Sequence, residues 1–245
     1  MTNRGILIAV EGIDGAGKTT QVELLRGALR QVGEDPIVSK EPTDGVWGRK
    51  IRESAANGRL PLNEELHAFI QDREQHVYKV IQPALDVGKI VLLDRYFYST
   101  IAYQGSRGAD VASLKAEMET RFPTPDAVFL LDLDPTLALY RISQSRGQTP
   151  NEFERIDSLV RVREVFNSLQ EPPVVKIDGS LSAEAVHRAV MEAFIFGPLK
   201  AKRCAKEYGC DDPFHCSFAL SGTCEWWNLS RRLLSALREE PQTAD

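Results

Sequence analysis

Cysteine is absent from the first 203 residues of the chain, and all four cysteines fall between Cys204 and Cys224. The cysteine-free part contains no disulfide bond and is long enough to bury a substantial hydrophobic core. No apolar run approaches the ~20 residues that cross a bilayer, so the sequence predicts no transmembrane helix and no membrane partner. Met1 to Arg4 leads directly into an apolar segment and leaves no room for a signal peptide, so we expect a cytoplasmic protein.

An excess of positive charge is also lacking, since the formal net charge is −5 at pH 7. Proteins that bind nucleic acid carry clustered basic residues, so we expect no nucleic-acid partner. A hydrophobic content of 42% with 27% charged residues is instead typical of a globular protein.

What the sequence does contain is a complete phosphate-binding loop over residues 12–19, Gly-Ile-Asp-Gly-Ala-Gly-Lys-Thr. The loop follows an apolar run and precedes a helical pattern, which is the context that the motif requires. Its glycines let backbone N–H groups surround phosphate oxygens, Lys18 adds a positive charge, and the Thr19 hydroxyl is a candidate Mg²⁺ ligand. The predicted nucleotide-binding residues are Gly12, Ile13, Asp14, Gly15, Ala16, Gly17, Lys18, Thr19 and Thr20.

Apolar runs alternate with helical patterns along the chain, which is typical of βαβ units and a parallel sheet. We predict a three-layer α/β domain over residues 1–197 with five parallel strands, and a small cysteine-rich appendage over residues 198–245. A helical pattern between Asn63 and Val87 is interrupted or kinked at Pro83. Ligands of such a domain bind at the carboxyl ends of its strands. The predicted strands contain the runs Ile6–Val10, Ile37–Val38, Ile90–Leu93, Val128–Leu133 and Val174–Ile177.

Asp94 and Arg95 directly follow a buried strand run and form a second candidate site. An acidic residue at this strand end can reach the Mg²⁺ shell beside the phosphate loop. The neighbouring arginine is suited to a bidentate contact with an acceptor phosphate. The alternative is an ion pair on the protein surface.

The segment from Leu92 to Gln104 resembles, position by position, the signature segment of thymidylate kinases. The resemblance covers about residues 1–195 and implies a P-loop nucleoside-monophosphate-kinase-like fold. It also implies Mg²⁺-dependent phosphoryl transfer from ATP to dTMP, and a homodimer. Further matching segments are residues 11–20, 40–43, 69–73 and 132–135.

The resemblance assigns two residues of one predicted helix to the thymine base. Phe69 offers an aromatic face for stacking, and Arg73, one turn later on the same face, can donate to the thymine O4. Taken alone, Phe69 is better explained by core packing, and Arg73 four residues later tips the balance toward a base contact. The resemblance further implies that Gln104, Ser99 and Thr100 make polar contacts to the base and phosphate. Ser99 and Thr100 have the alternative role of capping the following helix.

The remaining acceptor contacts implied by the resemblance involve the sugar and the pocket wall. Asp14 orients the 3′-hydroxyl, Tyr103 disfavours ribonucleotides by crowding the 2′ carbon, and Glu41 and Pro42 shape the pocket. The family usually has arginine where this chain has Lys40. Because lysine lacks the forked donor geometry, we expect the acceptor phosphate to depend more heavily on Arg95.

Some thymidylate kinases carry a catalytic arginine inside the phosphate loop, at the position of Gly15 in this chain. The charge must therefore come from elsewhere, and the resemblance assigns it to lid arginines, here Arg146 and Arg155, beside the flexible Gly147–Asn151 segment. Arg141 is better placed to contact ADP. The alternative for each arginine is a solvated surface charge.

The cysteine segment lies outside the resemblance. Four thiols within a short stretch favour a metal over disulfides, with Zn²⁺ held by the thiolates, or by three of them and His215. An iron–sulfur cluster and disulfides or free thiols are the alternatives. Trp226 and Trp227 begin an amphipathic helix that we expect to dock on the kinase domain, on a second subunit or on another protein. The candidate metal ligands are Cys204, Cys210, Cys216 and Cys224.

Two other functions remain open at the level of sequence. The chain fits a kinase of another nucleotide or deoxynucleoside, although Phe69, Arg73 and Tyr103 argue against that. It also fits a catalytically silent nucleotide-binding sensor that acts through its cysteine segment on an unknown partner. The intact Lys18 and Asp94 weigh against the sensor.

Overall fold

A computed structural model describes residues 5–146, 155–169, 171–199 and 225–239. Its centre is a sheet of five parallel strands, as the apolar runs predict, and the strand order is β2-β3-β1-β4-β5. The inner strands β1, β3 and β4 are buried on both faces because helices cover the sheet on either side. The strands are β1 (Ile6–Glu11), β2 (Ile37–Lys40), β3 (Ile90–Asp94), β4 (Ala127–Asp132) and β5 (Val174–Asp178).

The helices make the outer layers of the fold. A π-helical segment, Val77–Ile81, joins α3 to α4. This is the interruption expected at Pro83, whose ring clashes with the carbonyl four residues earlier and so widens the helix there. The helices are α1 (Lys18–Gln31), α2 (Val46–Asn57), α3 (Leu62–His76), α4 (Gln82–Asp86), α5 (Phe97–Gly105), α6 (Val111–Arg121), α7 (Pro135–Arg146), α8 (Ile156–Ser168), α9 (Ala183–Phe196) and α10 (Glu225–Glu239).

The register of the sheet brings the candidate sites together. Val10 pairs with Asp94, so the phosphate loop after β1 and the Asp94–Arg95 turn after β3 leave the same edge of the sheet side by side. The backbone N–H of Arg95 donates to the carbonyl of Val10 at 3.0 Å and continues the pairing beyond β3. The carboxyl ends of the central strands therefore form the floor of a single cleft.

Helix α10 packs on α1 and α9, so the predicted amphipathic helix docks on the sheet domain of its own chain. The ring centroid of Trp226 lies 5.3 Å from that of Phe194 in α9. Arg232 donates to the carbonyl of Val32 after α1 and forms an ion pair with Glu34 at 2.8 Å. Leu229 and Leu233 of α10 belong to the same hydrophobic core as the sheet.

The four cysteines lie outside the described residues, and the boundary at residue 197 stays a prediction. Leu199, just past that boundary, is fully buried in the core of the sheet domain. Within the described ranges, no helix combines the length and apolar character that crossing a membrane requires.

Candidate active site

The phosphate loop has the backbone conformation that its glycines predict. Gly12, Gly15 and Gly17 have φ angles of +142°, +81° and +92°, values that residues with a side chain rarely adopt. A Cβ atom on Gly15 would lie 2.5 Å from the carbonyl oxygen of Ala138 in α7. Backbone conformation and contact thus both disfavour a side chain at position 15 in this structure.

Lys18 is buried beneath the loop, and its Nζ donates to the carbonyl of Ile13 at 2.8 Å. Burial and the neighbouring Arg95 lower the pKa of Lys18 to about 8, against the opposing effect of nearby carboxylates. The Thr19 hydroxyl donates to Asp94 Oδ2 at 2.5 Å, so the two residues predicted to hold Mg²⁺ are in contact. A hydroxyl and a carboxylate are oxygen donors of the kind that Mg²⁺ prefers beside phosphates.

Asp94 and Arg95 do not form the surface pair considered as an alternative, because Arg95 bonds to the phosphate loop instead. Its Nη2 lies 2.6 Å from Asp14 Oδ1, and its Nη1 donates to Ser99 Oγ at 2.9 Å. The Tyr103 hydroxyl donates to the other Asp14 oxygen at 3.1 Å. Burial would raise the pKa of Asp14, but Arg95 and Lys18 together lower it to about 2.

A cavity of about 290 Å³ beside this cluster gathers most of the predicted acceptor residues. Phe69 is half-buried at its wall and lies outside the hydrophobic core, so core packing does not explain this residue. Ser99 and Thr100 face the cavity from within α5, so neither caps the helix. The predicted residues on its lining are Asp14, Glu41, Pro42, Phe69, Arg73, Arg95, Ser99, Thr100 and Tyr103.

Gln104 is the predicted acceptor residue that the structure does not bring to this cavity. Its side chain is fully buried, and both amide atoms lack a hydrogen-bond partner among the described residues. A contact between Gln104 and the base requires the side chain to rotate, and that contact stays a prediction.

Arg73 is held by a buried network that sequence reasoning only partly identified. Its Nε and Nη2 donate to Glu41 Oε2 at 2.9 and 2.6 Å, and Nη2 also donates to Thr100 Oγ1 at 2.8 Å. His76 Nδ1 lies 3.0 Å from the other Glu41 oxygen, and its Nε2 lies 2.8 Å from Ser39 Oγ. Glu41 therefore acts as the counter-ion of Arg73 in addition to shaping the pocket wall.

A second cavity of about 680 Å³ adjoins the first and runs along the phosphate loop to the start of α9. It contains Lys18, Thr19 and Asp94, and Asp14, Glu41 and Arg95 line both cavities. Arg141 lines it as expected for a contact to ADP, while donating to the carbonyls of Gly179 and Ser180 at 2.8 and 3.2 Å. The arrangement can place a phosphate donor and an acceptor end to end across the Asp14–Arg95 pair.

The two predicted lid arginines lie at helix ends. Arg155 is exposed immediately before α8, and the backbone of Arg146 ends α7. The side chain of Arg146 and residues 147–154 lie outside the described part of the structure, so the predicted role of these arginines stays a prediction.

Sequence reasoning missed Arg52, which lines the site, and Glu11, which contacts residues of the site from β1. Arg52 of α2 lines both cavities and donates to the carbonyl of Pro42 at 2.9 Å. Glu11, the last residue of β1, binds the start of α5. The position of Glu11 between a strand and the phosphate loop indicates that this residue lies near the site. Nothing in the sequence around Arg52 gives a comparable indication.

A central phosphate loop, a parallel sheet in this order and two adjoining cavities are the architecture of a P-loop kinase. A profile of the thymidylate kinase family matches residues 10–190. A thymidylate kinase of Xanthomonas campestris pv. campestris (strain B100) is 48% identical over 188 residues, covering 77% of this chain and 82% of the relative. A thymidylate kinase of Xylella fastidiosa (strain M12) is 46% identical over 187 residues, covering 76% and 85%.

The chain belongs to the thymidylate kinase family. It is accordingly a phosphotransferase of nucleotide biosynthesis, and its reaction is the ATP-dependent phosphorylation of dTMP to dTDP. The match ends before the cysteine segment and α10.

Proposed function

We propose that phosphoryl transfer from ATP to dTMP takes place where the two cavities meet, across the Asp14–Arg95 pair. The observation that carries this proposal is that both residues line both cavities. Arg95 binds the acceptor phosphate, and Asp14, which the low pKa keeps ionised, orients the sugar 3′-hydroxyl. Tyr103 crowds the 2′ position and so selects deoxyribose, and its bond to Asp14 supports this role.

The thymine base binds between Phe69 and Arg73 in the first cavity. Support comes from the exposure of Phe69 to the cavity and from the fixed orientation of the Arg73 guanidinium. Thr100 adds a hydroxyl beside Arg73, and Gln104 completes the polar edge after a rotation of its side chain. Arg52 supplements Arg95 toward the acceptor phosphate, which compensates for the lysine at position 40.

On the donor side, the loop N–H groups and Lys18 hold the β- and γ-phosphates, and Arg141 contacts the nucleotide. Thr19 and Asp94, which are in contact, would hold Mg²⁺, and the ion would neutralise phosphate charge. The γ-phosphate receives its arginine from the lid, through Arg146 or Arg155. The lack of space at Gly15 supports a lid origin.

The protein acts in the cytoplasm as a homodimer, with ATP and dTMP as its small-molecule partners. For residues 198–245 we propose metal binding at Cys204, Cys210, Cys216 and Cys224, with Zn²⁺ preferred over an iron–sulfur cluster. The proposal rests on cysteine spacing alone. Metal analysis of the purified protein tests it, since Cys210→Ser should release the metal and an unchanged metal content would contradict the site.

The test of the catalytic proposal is a coupled ADP-release assay with ATP, Mg²⁺ and a panel of nucleoside monophosphates. We expect turnover mainly with dTMP, and an Arg95→Ala variant that loses affinity for dTMP while its KM for ATP stays nearly unchanged. Equal turnover of dTMP, dUMP and dCMP would contradict the roles of Phe69 and Arg73. ATP binding without turnover of any acceptor would favour a sensor.

A further inference from the structure

Glu11 is a buried carboxylate that none of the roles above uses. It is the last residue of β1, is fully excluded from solvent, and lies against the first turn of α5. Oε1 accepts from the backbone N–H groups of Tyr96 at 2.8 Å and Ser99 at 3.2 Å. Oε2 accepts from the Ser99 hydroxyl at 2.5 Å. The N–H groups at a helix start favour an anion, so Glu11 caps α5 from a neighbouring strand.

The hydrogen bonds of Glu11 continue through Ser99 to Arg95. Ser99 Oγ donates to Glu11 and accepts from Arg95 Nη1 at 2.9 Å, so one hydroxyl links the carboxylate to the guanidinium. Arg95 itself has a φ of +70°, which is sparsely populated for a residue with a side chain. Such a conformation persists only where surrounding contacts hold it, and here β1 supplies them through Val10 and Glu11.

We propose that Glu11 is a positioning residue of the kinase, whose carboxylate holds Arg95 through Ser99 and the start of α5 in the orientation that receives the acceptor phosphate. The inference rests on the proposed role of Arg95 and deepens it. Glu11 does not line either cavity. Its hydrogen bonds lead to Arg95 through Ser99, whereas Lys18 is affected only by the charge of Glu11.

The charge of Glu11 changes near neutral pH, which makes the proposal measurable. Burial raises the pKa of Glu11 to about 7, against the lowering effects of Ser99, Arg95 and the Tyr96 N–H. The charged and titratable groups around it are Arg95 after β3, Lys18 in α1 and Tyr98 in α5, while β4 presents Leu130 in register with it. Asp14 and Asp94 act on the same arginine. Protonation removes the anionic acceptor that orders Ser99 and Arg95.

The experiment compares kcat/KM for dTMP in the wild type and in Glu11→Gln from about pH 5.5 to about pH 8.5, with ATP and Mg²⁺ saturating. The second phosphate pKa of dTMP, near 6, affects both enzymes alike and cancels in their ratio. We expect the ratio of wild type to variant to rise from near unity in acid to about tenfold above neutrality, the order expected for one charge-assisted hydrogen bond. The midpoint should lie at about pH 7.

The loss in Glu11→Gln should appear as a raised KM for dTMP, with the KM for ATP within about twofold of wild type, because the Glu11 carboxylate bonds to α5 and not to the phosphate loop. Glu11→Asp keeps a titrating carboxylate with a shorter reach, so it should weaken dTMP binding while the dependence on pH remains. If Glu11→Gln fails to fold, Glu11→Asp tests the proposal in its place. A KM for dTMP equal to that of the wild type at every pH in Glu11→Asp would overturn the proposal.

A matched control is Glu65→Gln, since Glu65 is an equally buried carboxylate that pairs with Arg59 and Arg107 away from both cavities. Its ratio to wild type should be independent of pH. A ratio independent of pH in Glu11→Gln, or equal increases in both KM values, would reduce Glu11 to a structural role. If Arg95→Ala itself leaves the KM for dTMP unchanged, the proposed role of Arg95 is wrong. That result distinguishes a failure of the proposed function from a failure of the Glu11 proposal alone.

Discussion

Arg73 and Glu41 form an ion pair inside the protein, with Nη2 2.6 Å from Oε2 and side chains that are 1% and 3% exposed. Burial would raise the pKa of Glu41, but Arg73 and His76 hold it below its usual range. A buried charge that loses its partner is strongly destabilising, so each residue of this pair depends on the other. The pair fixes the arginine that faces the acceptor cavity and does so before any substrate binds.

Arg73→Ala should raise the KM for dTMP by about tenfold or more, while the KM for ATP changes little, because a charged donor to the base is lost. The variant should also lose about 3 kcal/mol of unfolding free energy, since Glu41 is left buried without its counter-ion. Steady-state kinetics and urea denaturation measure the two effects. Adding Glu41→Gln should restore part of the stability but none of the affinity, and a double variant no more stable than the single one would contradict the pairing.

Lys18→Ala should reduce turnover by at least about a hundredfold, since one fixed charge on the transferring phosphates is removed. The fold should stay intact, which circular dichroism checks. Lys89→Ala is the control, because Lys89 is a partly exposed lysine that pairs with Asp35 away from the cavities. If Lys18→Ala retains activity, the loop has no part in the mechanism.

Gly15→Ala should cost about 2 kcal/mol or more of unfolding free energy, because the new methyl group meets the backbone of α7 at a positive φ. Gly27→Ala is the matched control, since Gly27 lies in the exposed interior of α1 with nothing within 4 Å of its Cβ position. That change should stabilise the protein by about 0.5–1 kcal/mol. Thermal denaturation compares the melting temperatures of the two variants. Equal melting temperatures would contradict the close approach of α7 to Gly15.

The stability of the protein should also report the ionisation of Glu11. Its pKa is 4.5 in an ordinary setting and about 7 in the folded protein, so the folded state keeps a proton that the unfolded state has released. The stabilisation due to Glu11 is therefore complete below pH 4.5 and is lost as the pH rises toward 7. Relative to Glu11→Gln, the wild type should lose about 3 kcal/mol across that interval. Urea denaturation of both proteins measures this difference, and parallel curves would contradict it.

Trp226→Ala should lower the unfolding free energy by about 3 kcal/mol, because the ring packs on Phe194 and anchors α10. The kcat and both KM values should stay close to wild type, since α10 lies away from the cavities. Ser235→Ala, at an exposed position of the same helix, is the control and should change stability by less than about 0.5 kcal/mol. A Trp226→Ala variant with unchanged stability would mean that α10 does not dock in solution.

The sheet, the phosphate loop and the Asp94–Arg95 turn were predictable because each depends on a continuous stretch of sequence. Strand periodicity and the spacing of glycines are local, and parallel pairing then brings neighbouring strand ends together. The His76–Glu41–Arg73 network was not predictable in the same way. It joins the end of β2 to two successive turns of α3, and nothing in either segment indicates which carboxylate the buried arginine will meet.

The roles of Arg52 and Glu11 were also not predictable from sequence, for two different reasons. Arg52 comes from a helix with no motif, and only the packing of α2 beside Pro42 brings it to both cavities. Glu11 stands inside a recognised segment, but its importance depends on the burial that raises its pKa, and burial is a property of the whole fold. Residues whose roles arise from tertiary contacts require coordinates before they can be assigned.

The packing of α10 on α1 and α9 has a consequence for any shortened form of the chain. The family profile matches only residues 10–190, which suggests removing everything after residue 197. That cut would leave Phe194 without the indole that covers it, and would open the core where Leu229 and Leu233 now lie. A newly exposed apolar patch promotes self-association. A truncated protein should therefore precipitate or form aggregates at concentrations where the full chain stays in solution.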